Sequence, residues 1–201
     1  MNGFVLAGGR STRMGQDKAL LQYAGRPLIE HAVRLLQTAG FVPHILGTRP
    51  DLAAYASVIP DLHSGCGPLA GIEAALTASS SEWNLFIAVD LPLLPPLFLG
   101  YLATRTAITV ASATIPTLAG RLQPLCAIYH RNLLPGITHA IESGAYKVID
   151  GIESSVRASQ LKIDIFGAEA LAVTRDNWSL DVPLHRWFQN MNTPADMSLI
   201  S

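Results

Sequence analysis

The run Leu85-Phe86-Ile87-Ala88-Val89 is unbroken apolar chain that stops at Asp90, with Pro92, Pro95 and Pro96 following at once. A strand with no polar alternation has both faces covered, which is the condition of a central strand in a parallel sheet lying between helices. The prolines cannot donate into a sheet ladder, so the strand ends at the acid. This single feature selects an α/β fold and sets Asp90 at a strand's carboxyl end. A composition of 49% hydrophobic and 14% charged residues supplies the apolar mass such a fold needs and rules out a disordered chain.

The remaining pattern alternates in the same way. Strands are predicted over 4–7, 42–46, 55–59 (leading to Asp61), 85–89, 108–113 and 125–129, with an edge strand over 161–166. The strands at 108–113 and 125–129 are joined through Ala119-Gly120-Arg121. A helix is predicted from Pro27, with Leu28, Ala32, Leu35, Leu36 and Ala39 on one face before Gly40. Gly65-Cys66-Gly67-Pro68 opens a second, with Leu69, Ile72 and Leu76 on one face. Further helices are expected over 132–143, stopped by Gly144, over 146–152, and from Asn192-Thr193-Pro194-Ala195-Asp196. Residues 178–187 give no readable pattern. The expected fold is a single domain over 1–201 with a mostly parallel sheet and helices on both faces.

Charge and cysteine usage narrow the function. The formal net charge is -1, so no global basic field draws nucleic acid or an anionic membrane. Cys66 and Cys126 stand far apart without metal-ligand spacing, as in a reduced, cytoplasmic protein. No basic leader precedes a long apolar segment, and no run long enough to span a bilayer occurs, so no membrane association is expected.

Positive charge is instead concentrated near the N-terminus. The strand Phe4-Val5-Leu6-Ala7 runs into Gly8-Gly9-Arg10-Ser11-Thr12-Arg13-Met14-Gly15-Gln16-Asp17-Lys18. Gly8 and Gly9 allow positive φ and a close approach of backbone N–H groups to phosphate, and Arg10, Arg13 and Lys18 supply charge. The spacing fits neither a P-loop, since Gln16 follows Gly15, nor the dinucleotide fingerprint. A triphosphate needs a counter-cation, and a carboxylate at a strand end suits Mg²⁺, which takes one or two carboxylates plus the phosphates; Asp90 is that candidate. The alternative role for Asp90 is a turn cap before Leu91-Pro92.

Leu6-Ala7-Gly8-Gly9-Arg10-Ser11-Thr12-Arg13-Met14-Gly15-Gln16-Asp17-Lys18-Ala19-Leu20-Leu21 resembles the molybdenum cofactor guanylyltransferases. So do Gly25-Arg26-Pro27-Leu28, Gly67-Pro68-Leu69-Ala70-Gly71-Ile72, Val89-Asp90-Leu91-Pro92 and Asn192-Thr193-Pro194. The similarity runs in order along nearly the whole chain. It implies a Rossmann-like nucleotidylyltransferase that moves GMP from GTP to the terminal phosphate of molybdopterin carrying molybdenum, releasing pyrophosphate. By the same resemblance Leu6, Ala7, Gly8, Gly9, Lys18, Asp61 and Asp90 contact the nucleotide, and Asp90 binds Mg²⁺. Asn190 and Asn192 match asparagines near the molybdopterin, and molybdoenzyme maturation proteins are further expected partners.

Displacement at the α-phosphate builds negative charge that Arg10, Arg13, Lys18, backbone N–H groups and the metal can stabilise. The nucleophile is already an anion, so no histidine is needed as base; His31 reads as structural and Cys66 as a small turn residue. One position departs from the family pattern. Where the family often carries Asn after the second strand, this chain has Leu46-Gly47-Thr48. The contact is lost, supplied by the Gly47 backbone, or taken by Thr48. Rival readings are a CTP-using cytidylyltransferase, a sugar-1-phosphate nucleotidylyltransferase, and a nucleotide- or molybdopterin-binding accessory without turnover.

Overall fold

A computed structural model describes residues 1–8, 17–173 and 182–191. In chain order the strands are β1 (Asn2–Leu6), β2 (Gln22–Tyr23), β3 (Arg26–Pro27), β4 (Val42–Leu46), β5 (Ser57–Ile59), β6 (Trp83–Ala88), β7 (Ala113–Leu118), β8 (Arg121–Leu122), β9 (Cys126–His130) and β10 (Ile163–Gly167). The helices are α1 (Leu28–Thr38), α2 (Gly67–Ala78), α3 (Pro96–Thr109), α4 (Leu134–Glu142), α5 (Val148–Ser159) and α6 (Ala170–Val173).

The main sheet runs β10-β7-β9-β6-β1-β4-β5, with β8 paired to β7. β1 pairs in parallel with both β4 and β6, β4 with β5, and β10 with β7. Only β9, among the strands of that path, runs antiparallel to its neighbours β6 and β7. From β1 the chain moves outward to β4 and β5, then returns to the other side of β1 as β6. The order therefore reverses between β1 and β6, and open α/β sheets bind ligands beyond the carboxyl ends at such a point.

Strand alternation divides the core into two layers. Val5, Leu85, Ile87, Cys126 and Ile128 face the layer formed with Leu28, Ile29 and Leu36 of α1 and Phe98, Leu99 and Leu102 of α3. Phe4, Phe86, Ala127 and Tyr129 face the opposite layer, with Leu69 and Ile72 of α2, Ile137 of α4 and Ile152 of α5. Phe4 stacks on Phe86 at 5.2 Å between ring centroids. Both faces are thus closed by helices, as the apolar run at 85–89 requires.

Several elements differ from expectation. The strand predicted over 108–113 is instead the end of α3, and β7 begins at Ala113. Pro95 and Pro96, read as a stop, begin α3: Pro95 occupies the position just before it and Pro96 takes the first turn, where its missing N–H costs nothing. Ile108 and Val110 are exposed, and Val110 closes the helix in the left-handed conformation with φ 52°. The helix expected over 146–152 is α5, which starts later and runs on to Ser159. The helix expected from Asn192 lies outside the described residues, as does 178–181 of the stretch that gave no pattern. Residues 182–191 place Trp187 in the α1–α3 layer, 1% exposed, with its ring 5.2 Å from Phe98. Among the described residues, no helix is long and apolar enough to cross a membrane.

Candidate active site

The reversal point opens a cleft of about 590 Å³ lined by Leu6 and Gly8 after β1, Asp61 after β5, Gly67 and Pro68 at the start of α2, Asp90 after β6, and Lys18. Backbone bonds lock the floor: the Val89 amide donates to the Leu6 carbonyl at 3.3 Å and the Ala7 amide to the Leu46 carbonyl at 3.3 Å. Each chemical group reaches the cleft from the carboxyl end of a strand or the start of a helix, which explains how residues far apart in sequence meet here.

Lys18 sits at the first position of a 3₁₀ turn, Lys18–Leu20, capped by the Asp17 carboxylate accepting from the Ala19 amide at 3.1 Å. Its Nζ lies 3.4 Å from Asp90 Oδ2, and the Asp90 side chain is 13% exposed. Asp61 lines the same cleft. A Cβ on Gly8 would be 3.9 Å from Asp61 Oδ2, and one on Gly71 of α2 would be 3.5 Å from Asp61 Oδ1. Burial raises the Asp61 carboxyl above its ordinary range.

Of the residues singled out in the sequence, Leu6, Gly8, Lys18, Asp61 and Asp90 line one cleft, and Ala7 is buried beside it. Gly9, Arg10, Arg13 and Asn192 lie outside the described residues. Asn190 is exposed, and its neighbour Met191 donates its amide to the Asp90 carbonyl at 2.9 Å, so that segment is seated on the site from a hundred residues away. His31 bonds the Tyr23 carbonyl through Nε2 at 2.6 Å, tying the β2–β3 hairpin to α1. Cys66 donates its thiol to the Ser64 carbonyl within its own turn, at 3.8 Å.

Gly8 does not take the positive φ anticipated for it; that requirement falls on Gly47, with φ +119°. A Cβ on Gly47 would sit 3.1 Å from Gly8 Cα, so the turn after β4 is pressed against the loop's first residue. The Gly47 amide donates to the Ile59 carbonyl at 3.1 Å, and its carbonyl accepts from the Arg49 amide at 2.9 Å. Its N–H is committed to the fold, which leaves exposed Thr48 as the side chain at the departing position.

Sequence reasoning missed Arg49 and Leu125. Leu125, between β8 and β9, lines the cleft. Arg49 is buried at 4% exposure and pairs with both Asp17 and Asp51. Its Asp51 partner lies two residues on, but the Asp17 partner is 32 residues away, so the sequence alone did not mark Arg49.

A family model described as the MobA-like NTP transferase domain matches residues 3–159. The chain belongs to this family. A relative from Carboxydothermus hydrogenoformans named probable molybdenum cofactor guanylyltransferase is 34% identical over 96% of this chain and 90% of its own length. A relative of the same name from Pelotomaculum thermopropionicum is 31% identical over 97% of this chain and 89% of its own. Among solved structures, the molybdopterin-guanine dinucleotide biosynthesis protein A of Archaeoglobus fulgidus superposes with a TM-score of 0.76 at 27% identity, over 99% of this chain and 96% of that one. As a MobA-like NTP transferase, the chain is a nucleotidyltransferase.

Proposed function

We propose that this enzyme transfers GMP from GTP to the terminal phosphate of molybdopterin carrying molybdenum, giving the guanine dinucleotide and pyrophosphate. The observation that carries the reading is the meeting of Gly8, Lys18 and Asp90 at the β1/β6 reversal point, in a family whose full-length relatives are named for this reaction.

Under this reading the triphosphate lies along Leu6, Ala7, Gly8 and Gly9, with Lys18 placing its ammonium against phosphate oxygens. Arg10 and Arg13 add charge on the phosphates. An oxygen of the acceptor phosphate attacks the α-phosphorus; the bond to the bridging oxygen of pyrophosphate breaks, and that oxygen keeps the electron pair. Both nucleophile and leaving group are anions, so no proton need move, and the work of the site is orientation and charge stabilisation. The Asp90 carboxylate suits Mg²⁺: it lines the cleft, and Mg²⁺ takes one or two carboxylates and completes its shell with phosphates and water. Bound by Asp90, the ion would neutralise charge on the phosphates. Asp61, in the same cleft, contacts the nucleotide, and Asn190 and Asn192 are the residues assigned to molybdopterin.

The test is pyrophosphate release with Mg²⁺, molybdenum-loaded molybdopterin and either GTP or CTP. GTP should turn over faster, and Asp90→Asn should lower the rate by at least about a hundredfold while leaving the fold intact. Preference for CTP would replace guanine by cytosine in the reading. Binding without release of pyrophosphate from any nucleotide would overturn transfer in favour of a carrier.

A further inference from the structure

The turn Gly47-Thr48-Arg49 supports both points at which the described chain meets the phosphate-binding segment. At one, Gly47 packs directly against the Gly8 backbone. At the other, the Arg49 guanidinium grips Asp17 with two parallel bonds, Nη1 to Oδ1 at 3.1 Å and Nη2 to Oδ2 at 2.5 Å. Its remaining edge binds Asp51, Nε to Oδ1 at 2.9 Å and Nη2 to Oδ2 at 2.6 Å. Asp17 in turn caps the 3₁₀ turn that begins with Lys18: its side chain accepts from the Ala19 amide and its carbonyl from the Leu20 amide, both at 3.1 Å. Arg49 does not itself line the cleft.

We infer that Arg49 is a positioning residue of the nucleotide site: acting through Asp17, it fixes where Lys18 stands relative to Asp90. The chemistry calls for arginine. Only a planar, forked cation can meet two carboxylates edge-on at once, and a lysine ammonium, a point donor, cannot hold both. Hydrogen bonds to Asp51, opposed by burial and reinforced by Asp17, keep the guanidinium charged well above its ordinary range. The guanidinium therefore stays protonated across working pH. The two carboxylates have separate roles: Asp17 continues into Lys18, whereas Asp51 lies half exposed on the side of the turn away from it in sequence.

The kinetic consequence rests on the transfer reading above; the structural one does not. The experiment compares wild type, Arg49→Lys, Asp17→Asn, the double variant and Asp51→Asn by amide hydrogen exchange over Lys18–Leu20, by melting temperature, and by pyrophosphate release with GTP and with CTP. Arg49→Lys and Asp17→Asn should each speed exchange over that turn and lower kcat/KM by roughly 10- to 100-fold, the loss expected for a misplaced catalytic group. The double variant should be no worse than either single one. Asp51→Asn should lower the melting temperature yet leave exchange over Lys18–Leu20 and kcat/KM close to wild type. Unchanged exchange in Arg49→Lys, additive losses, or equal losses from Asp51→Asn would reduce Arg49 to a purely structural pair and overturn the inference. If wild type turns over neither nucleotide, the transfer reading falls and the exchange comparison alone decides the role of Arg49.

Discussion

Burial raises the Asp61 carboxyl above its ordinary range, so its ionised form is disfavoured in the folded chain relative to the unfolded one. A raised folded value means that its contribution to stability is fully present below the unfolded-state pKa and is lost as pH rises through the folded-state pKa. At neutral pH the ionised acid works against the fold. Asp61→Asn should therefore melt at or above the wild-type temperature at pH 7, with the difference closing as the pH falls and the wild-type carboxyl protonates. The same substitution should weaken nucleotide binding by about 10- to 100-fold, the loss of a bond to a charged group. Melting curves and titration calorimetry on one preparation would read both. A lower melting temperature together with unchanged affinity would assign Asp61 to the scaffold. The buried thiol of Cys126 and phenol of Tyr129 are also pushed up by desolvation, but both lie in the core, away from the cleft lining.

At the scale of elements, α4 and α5 cross at Gly136, where an added Cβ would overlap the Ser155 backbone and hydroxyl. Ser155 is buried and donates to the carbonyls of Leu133 at 2.8 Å and Gly151 at 2.9 Å. Gly136→Ala should cost about 1–3 kcal/mol by forcing the helices apart, read as a lower denaturant midpoint, with turnover of the folded fraction unchanged. Legibility at this scale followed boundary signals and packing. β4 appears over the residues predicted, because Val42 to Leu46 is bounded by turn residues on both sides. α3 was misread because Ile108 and Val110, which favour strands, sit at an exposed helix end where propensity has little packing behind it. Asp90 and Lys18 could be found because each marks the end of a patterned segment. Arg49 could not: its meaning lies in an acid 32 residues away, and nothing local in the sequence gives that pairing.

For the whole molecule, the two-layered core and the site are closed by the same late segment. Trp187 fills the α1–α3 layer and its indole donates to the Val182 carbonyl at 3.0 Å, while Met191 bonds to Asp90 four residues further on. Trp187→Ala should remove about 3–5 kcal/mol of stability. It should also reduce turnover at temperatures well below melting, since the segment anchored by that ring carries the Asp90 contact. A loss of stability with full turnover would separate the two roles. The position of this segment bears on biosynthesis as well as on structure. Residues 182–191 emerge from the ribosome after all the described strands of the sheet, so those strands can meet while the Asp90 carbonyl still lacks its Met191 partner. A polypeptide whose translation is cut short before Trp187 would present the cleft without the Met191 bond to Asp90 and without the ring that anchors that segment.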